Sequence, residues 1–366
     1  MRTRVLAPRV LVELSPALDM AEWARLHARG EVPDRVPYGL NRLAGYGLAV
    51  LPRTRPRSGP VVQGCRIGAK LTGGKRWLES MLGDPAPGAA DVRLFWDEQC
   101  SVPALLTRGN RPVVTGVIWA TERRANGAAL ARLASKAALR RADALFVNSY
   151  AQVPVLCQDW GVPASRVHFV PLGIDTDFWD PAAPASDELP RLSPAQFVLS
   201  VGNDRHRDHQ LLLAAMQVVH PKLPEVRLEL VTRTPHRIPP EVGYWRQWAT
   251  PLQLRDHYRR AQVVAICARP NIHASGLTAT LESMAMARAV VATRTPGLED
   301  YIVHGETGLL VPPNDPEALA WALIELLTDR DKCARMGLAA RRRVLSAGLS
   351  TEAMSKSLAS VIRSVA

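Results

Sequence analysis

The residues best equipped for chemistry lie in one stretch, HASGLTATLE, from His273 to Glu282. The run VVAIC at 263–267 is apolar, β-branched and short, which suits a parallel strand buried on both faces. A loop at 268–275 follows, and residues 278–286 are rich in the helix formers Ala, Leu, Glu and Met. Gly276 therefore opens onto a helix N-terminus. Such an end carries N–H groups with no intrahelical acceptor and a partial positive charge, and a glycine lets an anion come close to the backbone. Glu282 falls about one turn into that helix, where a carboxylate can accept hydrogen bonds from vicinal hydroxyls such as those of a ribose. The plainer alternative is a glycine-led helix of an ordinary α/β domain with an incidental glutamate. The stretch alone does not separate the two.

The elements that must hold this stretch are clearest in the second half of the chain. Residues 197–202 (FVLSVG), 226–232 (VRLELVT), 289–293 (AVVAT) and 308–313 (GLLVPP) read as strands. Residues 209–220 carry Leu211, Leu212, Ala215, Val218 and Val219 on one helical stripe. Thr250 and Pro251 open a helix to residue 260, Asp315 caps another over 316–327, and a last amphipathic helix starts at Ser350. In the first half, strands are expected at 10–14, 92–96, 112–119, 144–149 and 167–175. A helix and then a strand are expected within 39–51, with further helices at 128–141 and from 150 to about 160. Strands alternating with helices predict parallel sheets with right-handed crossovers. The segment 180–196, rich in Pro, Ala and Ser, reads as a linker between two α/β domains. Ligands of such domains bind beyond the C-terminal ends of the strands.

Composition narrows the partners. At 366 residues and 47% hydrophobic, the chain can bury two cores. It holds no apolar run of about 18 residues, so no membrane-spanning helix is expected. Glu13 and Asp19 interrupt the basic, apolar N-terminus, which reads as a first strand and not as a secretion signal. Cys65, Cys100, Cys157, Cys267 and Cys333 have neither zinc nor disulfide spacing and read as buried thiols of a reducing cytosol. Net charge is +12, and only six of the 46 cationic residues are Lys. That balance suits anionic partners: a phosphorylated substrate, or an anionic membrane face met peripherally. Arginine clusters at Arg53/Arg55/Arg57, Arg123/Arg124, Arg140/Arg141 and Arg341/Arg342/Arg343 read as solvated faces. No zinc finger, RNP or helix-turn-helix signature accompanies them, so nucleic acid is not an expected partner.

Several segments, taken together and in order, carry a resemblance. They are ALFVNS from Ala144, VHFVPLGIDTDFW from Val167, FVLSVGNDRHRDHQLLL from Phe197, PLQLRDHYRRAQVVAIC from Pro251, and the block from His273 through LVPPNDPEALAWAL. Over roughly 144–327 the chain resembles the retaining glycosyltransferases of the GT-B fold, family four, also termed glycosyl transferases group 1. The resemblance implies an α/β chain of two Rossmann-like parallel-sheet domains facing across a cleft. It implies an acceptor-binding domain over 1–180 and a nucleotide-sugar donor domain over 197–349. The helix over 350–366 is expected to pack back on the first domain.

The site residues carried over are these. Gly202 matches the glycine after the first donor-domain strand. Asn203 stands where the family has arginine, and Arg207 falls one place short of its lysine, so Arg207, with Arg205 second, is the expected diphosphate ligand. Gly276, Leu277 and Thr278 match the backbone seat for the donor phosphates. Glu282 matches the ribose-binding glutamate, while His273 stands in place of the glutamate that sees the donor sugar. On the acceptor side Tyr38-Gly39, Trp119 and Glu122 are candidates, and Asp300 matches a glutamate of either functional or structural use.

The implied activity is hexosyl transfer with retention, from a UDP-sugar ahead of a GDP-sugar, to an unidentified small molecule, glycan or lipid-linked acceptor. Arg207, Glu282 and His273 form the catalytic set. No cofactor and no metal are implied, and the chain reads as lacking the Asp-x-Asp pair that would grip one. The implied setting is the bacterial cytoplasm, including its inner membrane face. Two alternatives stay open: a degenerate nucleotide-sugar-binding protein, and a nucleotide-sugar epimerase of the same fold.

Overall fold

The computed structural model describes residues 7–15, 18–52, 63, 90–106, 111–122, 129–185 and 197–366. Cys65, the loop at 53–60, the pairs Arg53/Arg55/Arg57 and Arg123/Arg124, and most of the linker at 180–196 lie outside them. Contacts divide the chain into two compact units. The first takes Met1–Leu26, Arg35–Pro171 and Glu352–Ala366; the second takes His27–Asp34 and Leu172–Thr351.

The first unit is built from β1 (Arg9–Glu13), α1 (Met20–Ala28, ending in the second unit's share), β2 (Ala49–Pro52), β3 (Val92–Phe95), α2 (Glu98–Leu106), β4 (Val113–Gly116), α3 (Ala129–Leu139), β5 (Ala144–Val147) and β6 (Val167–Phe169). All strands run parallel in the order β2-β1-β3-β4-β5-β6. The order reverses between β1 and β3, the place where sheets of this kind open a ligand crevice. Phe95, Val102, Leu105, Val113, Leu139, Leu145 and Trp160 form its core. Between residues 37 and 46 the chain makes a 3₁₀ helix interrupted by Tyr38 and Gly39, both at positive φ, and Gly47 closes it in the left-handed region before β2. The helix expected after residue 150 is a single turn, Gln152–Pro154, that widens into a π-helical turn at Val155–Asp159.

The second unit contains β7 (Phe197–Val201), α4 (His209–Val219), β8 (Arg227–Val231), β9 (Gly243–Arg246), α5 (Pro251–Arg260), β10 (Val263–Ile266), α6 (Leu277–Ala285), β11 (Ala289–Thr293), β12 (Leu309–Val311), α7 (Pro316–Thr328) and α8 (Arg330–Ser346). Its parallel strands follow β12-β11-β10-β7-β8-β9, with the switch between β10 and β7. Those two strands register Val263 on Val198 and Val264 on Leu199, and every residue of both is buried. Leu211, Leu212, Ala215, Met216 and Val219 of α4 pack on the sheet together with Leu319, Leu323 and Leu326 of α7. Each fully buried Leu contributes on the order of 2 kcal/mol from apolar transfer. Asp208, Thr250, Asp315 and Asp329 cap α4, α5, α7 and α8, each accepting a backbone N–H in the first turn.

The last helix, α9 (Thr351–Arg363), belongs almost wholly to the first unit. Its Ser355 hydroxyl donates to the Gly39 carbonyl at 3.2 Å, and Tyr46 donates to the Glu352 carboxylate. Among the described residues no helix is long and apolar enough to cross a membrane.

Candidate functional site: a buried arginine between two glycines

At the switch point of the second unit, β7 ends at Val201 and the chain turns through Gly202, whose φ is +152°. Asp204 then folds the loop back: its side-chain Oδ1 accepts from the His206 N–H at 2.7 Å, and its carbonyl accepts from the Arg207 N–H at 2.9 Å. Arg207 bridges to Ala268 beyond β10, and the Asp208 N–H donates to the Cys267 carbonyl at 2.9 Å. The Arg207 side chain is thereby laid across the C-terminal ends of β7 and β10.

There it passes between two glycines. A Cβ on Gly202 would stand 2.8 Å from Arg207 Nε, and a Cβ on Gly276 would clash with Nη1. Gly276 has φ +89°, caps α6 without a side-chain hydrogen bond, and is the only residue type that suits both conditions at low cost. One guanidinium hydrogen bond is made, from Nη2 to Ser200 Oγ at 3.2 Å, and Ser200 in turn donates to the Ala265 carbonyl at 2.8 Å. Among the described residues no acceptor reaches Nε or Nη1 and no carboxylate forms an ion pair with Arg207, although only 4% of the residue is exposed. Burial pushes its pKa below the usual arginine value, with Cys267, Tyr258 and Asp204 acting the other way. A guanidinium stays charged under these conditions, and a buried cation without a partner is costly until an anion joins it. The α6 N-terminus beside it adds N–H donors and dipole of the same sign.

The loop from 268 to 276 is braced for this purpose. Asn271 Oδ1 accepts from the Ser275 N–H at 2.9 Å, Asn271 Nδ2 donates to the Arg269 carbonyl at 2.8 Å, and Ala274 takes φ +58°. Leu277 is buried, whereas Thr278 is exposed in the first turn of α6. His273 is buried, and its Nε2 sits 2.9 Å from Asp204 Oδ2. Burial works to raise the Asp204 pKa, but hydrogen bonds from His273 and from the His206 backbone, with both imidazole charges, outweigh it and bring the pKa down to about 2.

Glu282 lies on the side of α6 that meets α5. The Tyr258 hydroxyl, buried against Trp179, donates to Glu282 Oε2 at 2.8 Å. Burial raises the carboxyl to about 8, with the Tyr258 hydrogen bond opposing. The other carried-over positions divide. Asn203 accepts from the Arg233 N–H at 2.6 Å and so ties the ends of β7 and β8 together, while Arg205 is exposed. Asp300 accepts from Arg343 Nη2 at 3.2 Å through its carbonyl, beyond the turn Pro296–Glu299.

Two points revise the sequence reading. Asp-x-Asp pairs do occur, at Asp175-Thr176-Asp177 and Asp329-Arg330-Asp331. The first Asp of each is spent on the backbone: Asp175 accepts from the N–H groups of Asp34, Asp177 and Phe178, and Asp329 caps α8 through the Lys332 N–H. The residues that organise the site, Ser200, Asp204 and Tyr258, carried no motif of their own. Ser200 was legible only as a polar residue in an otherwise apolar strand.

In the first unit, Tyr38 stacks on Trp96 beyond β3 with ring centroids 3.9 Å apart and planes at 11°. Trp119 follows β4, and its N–H donates to Glu98 Oε1 at 2.9 Å while the Ile118 N–H donates to Oε2 at 2.8 Å. Glu98, missed in the sequence, is buried; burial and the neighbouring Asp97 raise its pKa to about 7 against those backbone hydrogen bonds. Glu122 is also buried.

Residues 195–329 match the family model described as glycosyl transferases group 1. That segment is similar to a group 1 glycosyltransferase domain. Over 255 residues it is 29% identical to the alpha-maltose-1-phosphate synthase of Mycolicibacterium smegmatis, covering 62% of this chain and 65% of that one. Over 257 residues it is 27% identical to the D-inositol 3-phosphate glycosyltransferase of Corynebacterium urealyticum, covering 64% of this chain and 59% of that one. The chain thus spans somewhat under two thirds of these relatives. Among solved structures, sucrose-phosphate synthase from Thermosynechococcus elongatus superposes with TM-score 0.71 at 21% identity, covering 98% of both chains. Anabaena HepE in complex with UDP-glucose gives TM-score 0.66 at 16% identity, covering 98% of this chain and 99% of that one. The fold is GT-B, with two six-stranded parallel sheets.

Proposed function

We propose that this glycosyltransferase moves a hexose from a nucleotide-sugar donor to an anionic acceptor, with retention at the anomeric carbon. The observation that carries the reading is Arg207: a buried guanidinium with two unused nitrogens, aimed past Gly276 at a helix N-terminus. A diphosphate supplies the missing anion, and a guanidinium can grip it with two parallel hydrogen bonds. As the bond from the anomeric carbon to the diphosphate breaks, charge grows on the leaving group, and Arg207 with the α6 end is already in place to meet it. The acceptor oxygen attacks the same face and passes its proton to the departing diphosphate. Glu282 takes the ribose hydroxyls, and His273 contacts the transferred sugar where the resemblance implies a carboxylate.

A UDP-sugar is favoured over a GDP-sugar, in keeping with the UDP-glucose bound to HepE. The acceptor is a phosphorylated sugar or polyol, which suits the net charge of +12 and the names of both curated relatives. The test is incubation with radiolabelled UDP-glucose and GDP-mannose, with glucose 1-phosphate and inositol 3-phosphate as acceptors. Acceptor-dependent release of UDP supports the reading. Tight UDP binding with no turnover on any acceptor would leave a degenerate binding protein instead.

A further inference from the structure

The loop that positions Arg207 also gathers groups the transfer chemistry does not use together. Asp204 and His206 come from the turn after β7, and His273 comes from the loop after β10, so the cluster spans the switch point. One potential ligand atom from each lies within 4.8 Å of the other two. His273 Nε2 is 2.9 Å from Asp204 Oδ2, His206 Nδ1 is 3.4 Å from Asp204 Oδ1, and the two imidazole rings are 4.8 Å apart. Bonds of about 2.0–2.1 Å to a zinc ion set ligand atoms a little over 3 Å apart in a tetrahedron. The cluster would reach a coordination sphere by drawing its ligand atoms, now within 4.8 Å of one another, together by up to about 1.5 Å. Two imidazoles and a carboxylate suit a borderline divalent ion better than magnesium or calcium, which take oxygen ligands.

From this geometry we propose that Asp204, His206 and His273 form a site for a divalent transition-metal ion of the zinc class, with three protein ligands and an open position. The side chains of Asp204, His206 and His273 are at most 17% exposed, so all three ligands are held before an ion arrives. The Asp204 Oδ1 that accepts from the His206 N–H orients the carboxylate, as groups outside the coordination sphere do in metal sites. Binding replaces the His273–Asp204 hydrogen bond and any proton on either imidazole with the ion. The site needs nothing from the transferase reading, since its readout is metal uptake.

The experiment uses the full chain stripped with EDTA and dialysed. It is titrated with Zn²⁺ by calorimetry and with Co²⁺ followed by visible absorption, with UDP titrated in parallel. The expected result is one ion per chain with a Kd on the order of a micromolar, and at least tenfold weaker uptake in His206→Ala and in His273→Gln. Either variant keeps the test valid should the other unfold; circular dichroism reports that. His168→Ala, on β6, is expected to bind as the parent does. No stoichiometric uptake overturns the site, as does uptake untouched by His206→Ala. So does a sulfur-to-cobalt charge-transfer band, which would place the ion on a cysteine. UDP binding that persists in any of these outcomes leaves the transferase reading standing.

Discussion

Arg207 crowds Gly276: a methyl group at residue 276 would overlap the Arg207 Nη1 and stand 2.6 Å from Ile266 Cγ2. The glycine also holds φ +89°, where an alanine is strained. Gly276→Ala must therefore displace the guanidinium, bend the start of α6, or both. UDP affinity is expected to fall at least tenfold, about 1.4 kcal/mol, as read by calorimetry. Gly305→Ala, at a positive-φ turn with open space around its Cβ, carries the backbone strain without the collision and should leave UDP affinity unchanged. Equal losses in both variants would show that strain alone is responsible.

If Arg207 meets the charge that grows during bond breaking, as proposed, its removal should fall on turnover more than on donor binding. Arg207→Ala is expected to lower kcat by about two to three orders of magnitude. Arg207→Lys should recover part of that, keeping the charge and losing the two-pronged grip. Arg205→Ala, at an exposed position, should cost far less. Steady-state kinetics of the three variants decide it. A collapse in Arg205→Ala with near-normal Arg207→Ala would assign the diphosphate to the wrong arginine.

Much of the second unit could be read from the chain because its strands are uniformly apolar and its helices begin at Asp or Thr caps: Asp208, Thr250 and Asp315 each do in space what their types suggest. α8 escaped because its sequence is dense in arginine and has a glycine in mid-helix. Gly337 is there because a Cβ would collide with the Ala287 carbonyl, a close approach no local pattern announces. α2 escaped for a related reason: Pro103 sits inside it, and its buried face includes Glu98 and Ser101. At the site, glycine and glutamate at the ends of HASGLTATLE were legible because their chemistry is local. The partnership of Asp204 with His273 was not, since 69 residues separate them and only the switch between β7 and β10 brings them together.

Transfer is expected to survive chelation. In the proposed reading the charge of the leaving diphosphate is met by Arg207 and the α6 end, and the first Asp of each Asp-x-Asp pair is engaged with backbone N–H groups. Initial rates with and without EDTA should agree within about twofold, a difference of roughly 0.4 kcal/mol. Loss of transfer on chelation, restored by magnesium or manganese, would move the diphosphate onto a metal.

Glu282 offers a test through pH. Burial holds its folded pKa at about 8 against a reference value of 4.5, with Tyr258 opposing. Between those values the folded chain keeps a proton that the unfolded chain has released. Stability falls with rising pH wherever the folded state binds more protons, so this contribution is complete below about 4.5 and is lost as pH climbs toward 8. Glu282→Gln should flatten that part of the melting-temperature profile. Ribose hydroxyls donate to the carboxylate and so favour its ionised form; UDP binding at pH 7 should release a proton and tighten as pH rises toward 8. Calorimetry in buffers of different ionisation enthalpy measures that release, and Glu282→Gln should abolish it. Glu282→Ala should weaken UDP by at least about tenfold, 1.4 kcal/mol. Proton release that persists in Glu282→Gln, or unchanged affinity in Glu282→Ala, would place the ribose elsewhere and leave Glu282 as the hydrogen-bond partner of Tyr258 alone.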